Sequence, residues 1–117
     1  MIPYKRGDVV LIPFPFTDLS ASKQRPALVV SHEAFHQAGS DIIVCAITSQ
    51  SPTLVGSFDH LLSEEDLAQS GLPKVSKVKC GKLASLDHRI IRKKLGVLSP
   101  STVAKIVSLI HRIIPPV

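Results

Sequence analysis

The sequence is poor in aromatic residues, in cysteine and in long apolar runs. It has no tryptophan, one tyrosine and four phenylalanines, so its capacity to stack on nucleic-acid bases is low. Its two cysteines are too few for a disulfide framework, and its five dispersed histidines show no metal-ligand spacing. No apolar run approaches the roughly 20 residues that span a bilayer. We therefore expect no disulfide, no metal, no cofactor and no membrane partner.

The composition that remains is that of one ordered, basic domain. The chain has 117 residues, enough for a single core, and 44% of them are hydrophobic. Fourteen basic residues against nine acidic ones give a net charge of +5, which favours a polyanionic partner. The first residues, MIPYKRGDVV, lack the apolar core and cleavage site of a signal peptide, so we expect a cytoplasmic protein. Cys45 and Cys80 fall in strand-like apolar segments and are interpreted as small buried hydrophobic residues.

Apolar runs of strand length predict a mainly β fold. Three runs come first along the chain: Asp8–Phe14, which is apolar on both faces and therefore central, Pro26–Ser31 and Asp41–Thr48. Further strands are predicted near Ser57–Leu62 and within Val75–Leu86. In the last of these, Val78 and Cys80 would face inward, Lys77 and Lys79 would face outward, and Gly81 would mark a bulge or a bend.

Capping residues predict three helical segments between and after these strands. Ser31 is the expected N-cap of a short turn that ends at Gly39. Ser63, followed by three acidic residues, predicts a helix that stops at Gly71. Ser99, with Pro100 in the first turn, opens an amphipathic helix ended by two prolines. Many short strands with one terminal helix indicate an α+β domain built on a small, strongly bent sheet.

The chemically distinctive side chains lie at strand ends. Arg25 directly precedes the second apolar run, and Thr48 and Ser49 close the third. A guanidinium group can grip two phosphate oxygens at once, and hydroxyl groups can add further donors. If the fold brings these strand ends together, they form a phosphate-binding site.

Taken in order, these segments resemble the MazF/PemK family, the endoribonuclease toxins of type II toxin–antitoxin systems. The resemblance rests on GDVVL, RPALVVS and AITS, continues through LLSEEDLAQSGLPKVSKVKCGKL and closes with GVLSPSTVAKIVSLI. It implies a single toxin domain over residues 1–117, an SH3-like barrel related to plasmid toxins with short helices and a C-terminal helix. It also implies a homodimer, held inactive by a cognate acidic antitoxin. The implied reaction is metal-independent, sequence-preferring cleavage of single-stranded mRNA, which leaves 2′,3′-cyclic phosphate and 5′-OH ends.

The resemblance assigns residue roles and also shows one departure. Arg25 matches the family's catalytic arginine, and Thr48 its catalytic threonine. PemK-type members carry an arginine and an aspartate two residues apart in the fifth strand, where this chain has Lys79 and Gly81. The lysine keeps the positive charge but lacks the paired donors of a guanidinium group, and the carboxylate is missing. The chain therefore lacks the fifth-strand carboxylate of the PemK type, whereas the Arg/Thr pair is intact.

Other site residues are predicted from residue type and position. His60 and Asp18 are candidates for the general base by residue type alone. The residues expected to contact RNA are Lys23, Gln24, Ser49, Lys79, Lys82 and, as a stacking aromatic, Phe16.

Two other classes of function stay open. Gyrase-poisoning toxins share the barrel but depend on a tryptophan near the C-terminus, and this chain has none. A non-catalytic barrel that binds nucleic acid or peptide is the second alternative, and the missing fifth-strand carboxylate favours it.

Overall fold

A six-stranded antiparallel sheet forms the centre of the molecule. The computed structural model describes residues 1–13 and 23–117. The strands are Asp8–Ile12 (β1), Arg25–Val29 (β2), Asp41–Thr48 (β3), Asp59–Leu61 (β4), Lys77–Asp87 (β5) and Lys93–Val97 (β6). In the described part they run in the order β4-β5-β3-β2-β1-β6, so β4 and β6 are the edges. The mainly β prediction is confirmed.

The sheet is buried on both faces because successive side chains of each strand point to opposite sides. Val9 and Leu28 belong to a core that the C-terminal helix covers, and Val10 and Val29 belong to a second core on the other face. The prediction that the first strand is buried on both sides is thus confirmed. No helix in the described ranges is long and apolar enough to cross a membrane. The helices are Glu33–Gln37 (α1), Glu64–Ser70 (α2) and Pro100–Ile113 (α3), with a 3₁₀ turn at His88–Ile90.

Two of the three predicted N-caps are confirmed. The hydroxyl oxygen of Ser63 accepts from the backbone N–H of Asp66 at the start of α2, and Ser99 caps α3 in the same way. Ser31 is not the cap of α1. His32 takes that position, and the Ser31 hydroxyl oxygen instead accepts from Ile43 N–H at 2.9 Å. Ser31 is therefore used to join α1 to β3.

The fifth strand corrects one prediction and confirms another. Lys77 was expected to face outward but is 6% exposed, because β4 and the loop before it cover this end of β5. The pairing with β3 slips at Gly81: Cys45 lies opposite Leu83, whereas the next residue of β3 lies opposite Lys79. The predicted bulge is therefore present. Lys82 lies within it.

Both cysteines are free and buried, as expected. Burial raises the pKa of the Cys45 thiol, and it raises that of Cys80 to about 11. Both thiols are therefore protonated at neutral pH and pack as hydrophobic groups.

Candidate functional site

A cleft of about 430 Å³ opens beside the ends of β2 and β3. Arg25 is the first residue of β2 and Thr48 is the last residue of β3, and both line the cleft. The two strands pair with Ala27 opposite Ala46. Continuing this register by two residues puts Arg25 across from Thr48 on the same face of the sheet. The structure thus brings the two predicted catalytic residues together, and their roles stay predictions.

The cleft has two walls. The first wall is the end of β2 and β3, with Gln24, Arg25, Thr48 and Ser49. The second wall comes from the chain that follows α2 and from β6, and consists of Gly71, Leu72, Pro73, Lys74, Lys93 and Leu95.

Two glycines allow α2 and β6 to meet backbone to backbone and so build the second wall. Gly71 ends α2 with a φ of 75°, a conformation that favours glycine. A Cβ at Gly71 would collide with the carbonyl of Leu95, and one at Gly96 would collide with the carbonyl of Gln69. The position of the second wall therefore depends on the absence of side chains at these two residues.

The charge of the cleft suits an anion. Its described lining carries three cationic side chains, Arg25, Lys74 and Lys93, and contains no aspartate, glutamate or histidine. Hydroxyl groups are supplied by Thr48, Ser49 and Ser76. A cationic cleft with hydroxyl donors can bind the phosphate groups of a nucleic acid.

The two predicted catalytic side chains differ in their hydrogen bonds within the described residues. The Nε of Arg25 is buried and has no hydrogen-bond partner among the described residues. The hydroxyl oxygen of Thr48 accepts from the backbone N–H of Gln50 at 3.1 Å. Because a hydroxyl group has one hydrogen as well as its acceptor lone pairs, Thr48 can accept from Gln50 and still donate to a phosphate oxygen.

The other predicted RNA contacts divide into two groups. Gln24 and Ser49 line the cleft. Lys79 lies outside the described lining, and its Nζ is 3.6 Å from Oδ1 of Asp59, which offsets its charge. Lys82 in the bulge and the exposed Lys23 also lie outside the lining.

The sequence did not indicate that Lys74 and Lys93 belong to the site. Each is one cation in a basic stretch of the chain, and the contact between α2 and β6 brings them to the cleft. No local pattern signals that contact except the glycines that permit it.

The candidates for the general base do not lie in the described lining of the cleft. His60 is on β4 opposite Val78, and burial together with the charge of Lys105 lowers its pKa, which Asp66 acts to raise. Asp18 and Phe16 lie outside the described residues. Within 1–13 and 23–117, no group of three or more His, Cys, Asp or Glu side chains is placed to hold a metal ion.

Comparison with known proteins defines the class to which this fold and cleft belong. Residues 5–114 match the family model of the PemK-like, MazF-like toxins of type II toxin–antitoxin systems. The chain therefore belongs to this toxin family, and the resemblance seen in its motifs is confirmed. No curated protein sequence matches the chain.

Solved structures with the same fold include several toxins of this kind. An endoribonuclease from a Mycobacterial species, in complex with its cognate antitoxin, has a TM-score of 0.76 at 20% identity, covering 97% of this chain and 98% of that one. A MazE–MazF structure from Deinococcus radiodurans gives 0.75 at 21% identity, covering 100% and 99%. The Mycobacterium tuberculosis toxin MazF-mt6 gives 0.65 at 20% identity, covering 92% and 94%. At these identities the structures establish a shared fold.

Proposed function

We propose that this protein is an endoribonuclease toxin that cuts single-stranded RNA, with a sequence preference and without a metal ion. The observation that carries the proposal is the meeting of Arg25 and Thr48 in a cleft whose described lining is cationic and free of carboxylates. Membership of the toxin family and the endoribonucleases among the structural neighbours support it.

The reaction that fits this cleft uses the RNA as its own nucleophile. The 2′-oxygen attacks the adjacent phosphorus, the bond from phosphorus to the 5′-oxygen breaks, and the products are a 2′,3′-cyclic phosphate and a 5′-OH. One proton leaves the 2′-OH and one is delivered to the departing 5′-oxygen. Negative charge builds on the non-bridging oxygens, and fixed donors aimed at that charge supply a large part of the rate enhancement.

Each of the two residues has a role in this scheme. Arg25 holds the non-bridging oxygens with its guanidinium fork and, because arginine stays protonated, stabilises charge or donates a proton rather than removing one. Thr48 donates its hydroxyl hydrogen to a phosphate oxygen. Of the two candidates for accepting the 2′-OH proton, His60 lies outside the described lining of the cleft and is expected to take no part, and Asp18 stays a prediction.

The positive charge of the cleft supports a proposal about the partner. A cognate antitoxin with an acidic segment would cover the cationic cleft and block RNA, and antitoxin complexes among the structural neighbours support this assignment. We further propose that the toxin acts as a homodimer in the cytoplasm. Steering of an acidic segment toward the cleft would be screened by salt.

The deciding experiment incubates the purified protein with a long single-stranded RNA, with and without EDTA, and determines the chemistry of the product ends. We expect cyclic phosphate and 5′-OH ends in both conditions. Arg25→Ala should lower cleavage by about 10²–10³-fold, the effect of losing one preorganised donor. Arg89→Ala is the matched control, because Arg89 is exposed, pairs with Asp87 and lies outside the described lining of the cleft.

Three results would contradict the proposal. Loss of cleavage in EDTA would exclude the metal-free reaction. Full activity in folded Arg25→Ala would remove the proposed charge stabiliser. RNA binding without cleavage would favour a non-catalytic barrel, the alternative suggested by the missing carboxylate at Gly81.

A further inference from the structure

Lys74 and Lys93 are, besides Arg25, the cationic side chains in the described lining of the cleft. Both are exposed, both line the cleft, and neither has an ion-pair partner among the described residues. Their charge is therefore available to a ligand. Four other cations are paired with aspartate side chains, namely Lys77, Lys79, Arg89 and Lys94.

The contact between α2 and β6 puts both lysines on the same wall. Lys93 begins β6 and lies opposite Leu11, two residues before Leu95. The carbonyl of Leu95 meets the backbone of Gly71, and Lys74 follows Gly71 by three residues. Both cations thus belong to the second wall, across the cleft from the strand ends that carry the proposed catalytic pair.

We propose that Lys74 and Lys93 form a phosphate-binding wall that holds RNA phosphates next to the one that reacts at Arg25 and Thr48. This inference rests on the proposed function and adds the path of the substrate across the cleft. An RNA strand carries a charge at each nucleotide, so a strand held in the cleft brings further phosphates close to the reacting one. Lysine suits them because its ammonium group acts as a point charge that accepts many backbone geometries.

Contacts of this kind have a recognisable signature. They bind the ground state and the transition state alike, so their loss raises KM and leaves kcat unchanged. They carry no sequence information, so their loss weakens binding to all sequences equally. They release counterions, so each one contributes to the salt dependence of binding.

The test uses a 2′-O-methyl oligonucleotide of random sequence, about 12 nucleotides long, a length within the usual range of single-strand sites. This probe cannot be cut because its 2′-oxygen is blocked. Affinity is measured over a series of salt concentrations for wild type, Lys74→Gln, Lys93→Gln and the double variant. Lys105→Gln is the matched control, because it removes the same charge from an exposed position on α3 outside the described lining of the cleft.

Each cleft variant should reduce the slope of log affinity against log salt by about 0.7, the value for one phosphate contact on a single strand, and the double variant by twice that. Lys105→Gln should change the slope far less. With unmodified RNA, the double variant should show a raised KM and the wild-type kcat. Slopes for Lys74→Gln and Lys93→Gln that match the control, in a protein that binds and cuts RNA, would overturn the phosphate wall and leave the proposed function intact.

Two further outcomes separate this inference from the function on which it rests. Binding that depends on both lysines, without cleavage of any RNA, would overturn the proposed cleavage and support the phosphate wall. A wild-type protein that neither binds the probe nor cuts RNA would overturn both.

Discussion

The ammonium group of Lys77 lies 3.5 Å from Oδ2 of Asp59, and together these two residues fix the loop that follows Thr48. Lys77 donates to the carbonyl oxygens of Leu54 at 2.5 Å and Ser51 at 3.2 Å. Asp59 accepts from the backbone N–H of Gly56 at 2.9 Å. Since Lys77 is also the β5 partner of Thr48, the pair ties both ends of the loop to the strand beside the cleft.

Replacing Lys77 by methionine should lower the free energy of unfolding by about 2–4 kcal/mol. The side chain is 8% exposed, and breaking a buried ion pair from one side leaves its partner and two carbonyl groups without compensation. Asp59 keeps Lys79 at 3.6 Å, which limits the loss. Urea unfolding measures the change, and Lys74→Met, an exposed substitution, should cost less than about 0.5 kcal/mol. Equal stability of the two variants would show that the pair does not hold the loop.

The protein should lose stability in acid partly through Asp66. Burial acts to raise the pKa of Asp66, but hydrogen bonds from the hydroxyl of Thr102 and the backbone N–H of Ser99 outweigh it and hold that pKa below its usual value. The stabilisation is complete above the unfolded pKa of about 3.9 and is lost as the pH falls through the lower folded pKa. Asp66→Asn should therefore be less stable at neutral pH and lose less on acidification. Parallel stability curves between about pH 5 and pH 2 for the two proteins would contradict this linkage.

Alanine at the two glycines of the second wall should be costly, whereas alanine at a third glycine should not. Gly71→Ala and Gly96→Ala force a Cβ into backbone carbonyl groups, so each should destabilise the fold by about 2 kcal/mol or more. Gly39 is the control, because a Cβ there meets nothing within 4 Å. Thermal unfolding measures all three. Wild-type stability in Gly71→Ala and Gly96→Ala would mean that α2 and β6 do not touch as described.

Cleavage should depend on the hydroxyl group of Thr48 and not on its methyl group. Thr48→Ser keeps both the acceptor for the N–H of Gln50 and the donor for phosphate, so it should retain most of the activity. Thr48→Val has nearly the same shape but neither function, and should lose about 10²-fold or more if the hydroxyl group stabilises the transition state. Single-turnover rates on one RNA compare the variants. Equal activity of Thr48→Val and wild type would remove Thr48 from the mechanism.

His60→Gln should leave the cleavage rate and its pH profile unchanged. His60 lies on β4 outside the described lining of the cleft. A positioned general base contributes about 10²–10⁴-fold, so a loss of that size, with folding and RNA affinity intact, would identify His60 as the base after all. A rate measured from about pH 4 to pH 8 in both proteins provides the comparison, because burial lowers the pKa of His60 below that of a free histidine.

The features that the sequence predicted are those that short stretches of chain determine. The N-cap at Ser63 and the glycine stop at Gly71 are local signals, and β3 occupies the predicted segment Asp41–Thr48. Arg25 and Thr48 were singled out because a cation and a hydroxyl group are unusual next to apolar runs; both line the cleft, and their catalytic roles stay predictions.

The features that were missed depend on contacts between distant segments. β6 begins with two lysines and contains a glycine, so its sequence shows little strand character. It forms a strand because it pairs with β1. Lys77 carries a charge that favours exposure on sequence grounds, yet β4 and its preceding loop bury it. Lys74 and Lys93 reach the cleft through the docking of α2 on β6, which no single segment encodes.

Gly81 lies in the bulge of β5, where the side chain can change without a change in the fold. It lies at an exposed position without a partner on β3, and a Cβ there would make only an ordinary contact of 3.6 Å with Ile113. Because the pairing of β3 with β5 does not use this residue, a Cβ at position 81 can be added without altering the pairing of β2 with β3 beside the cleft. The bulge is thus an exchangeable position at which a carboxylate can be installed by Gly81→Asp while the scaffold stays the same.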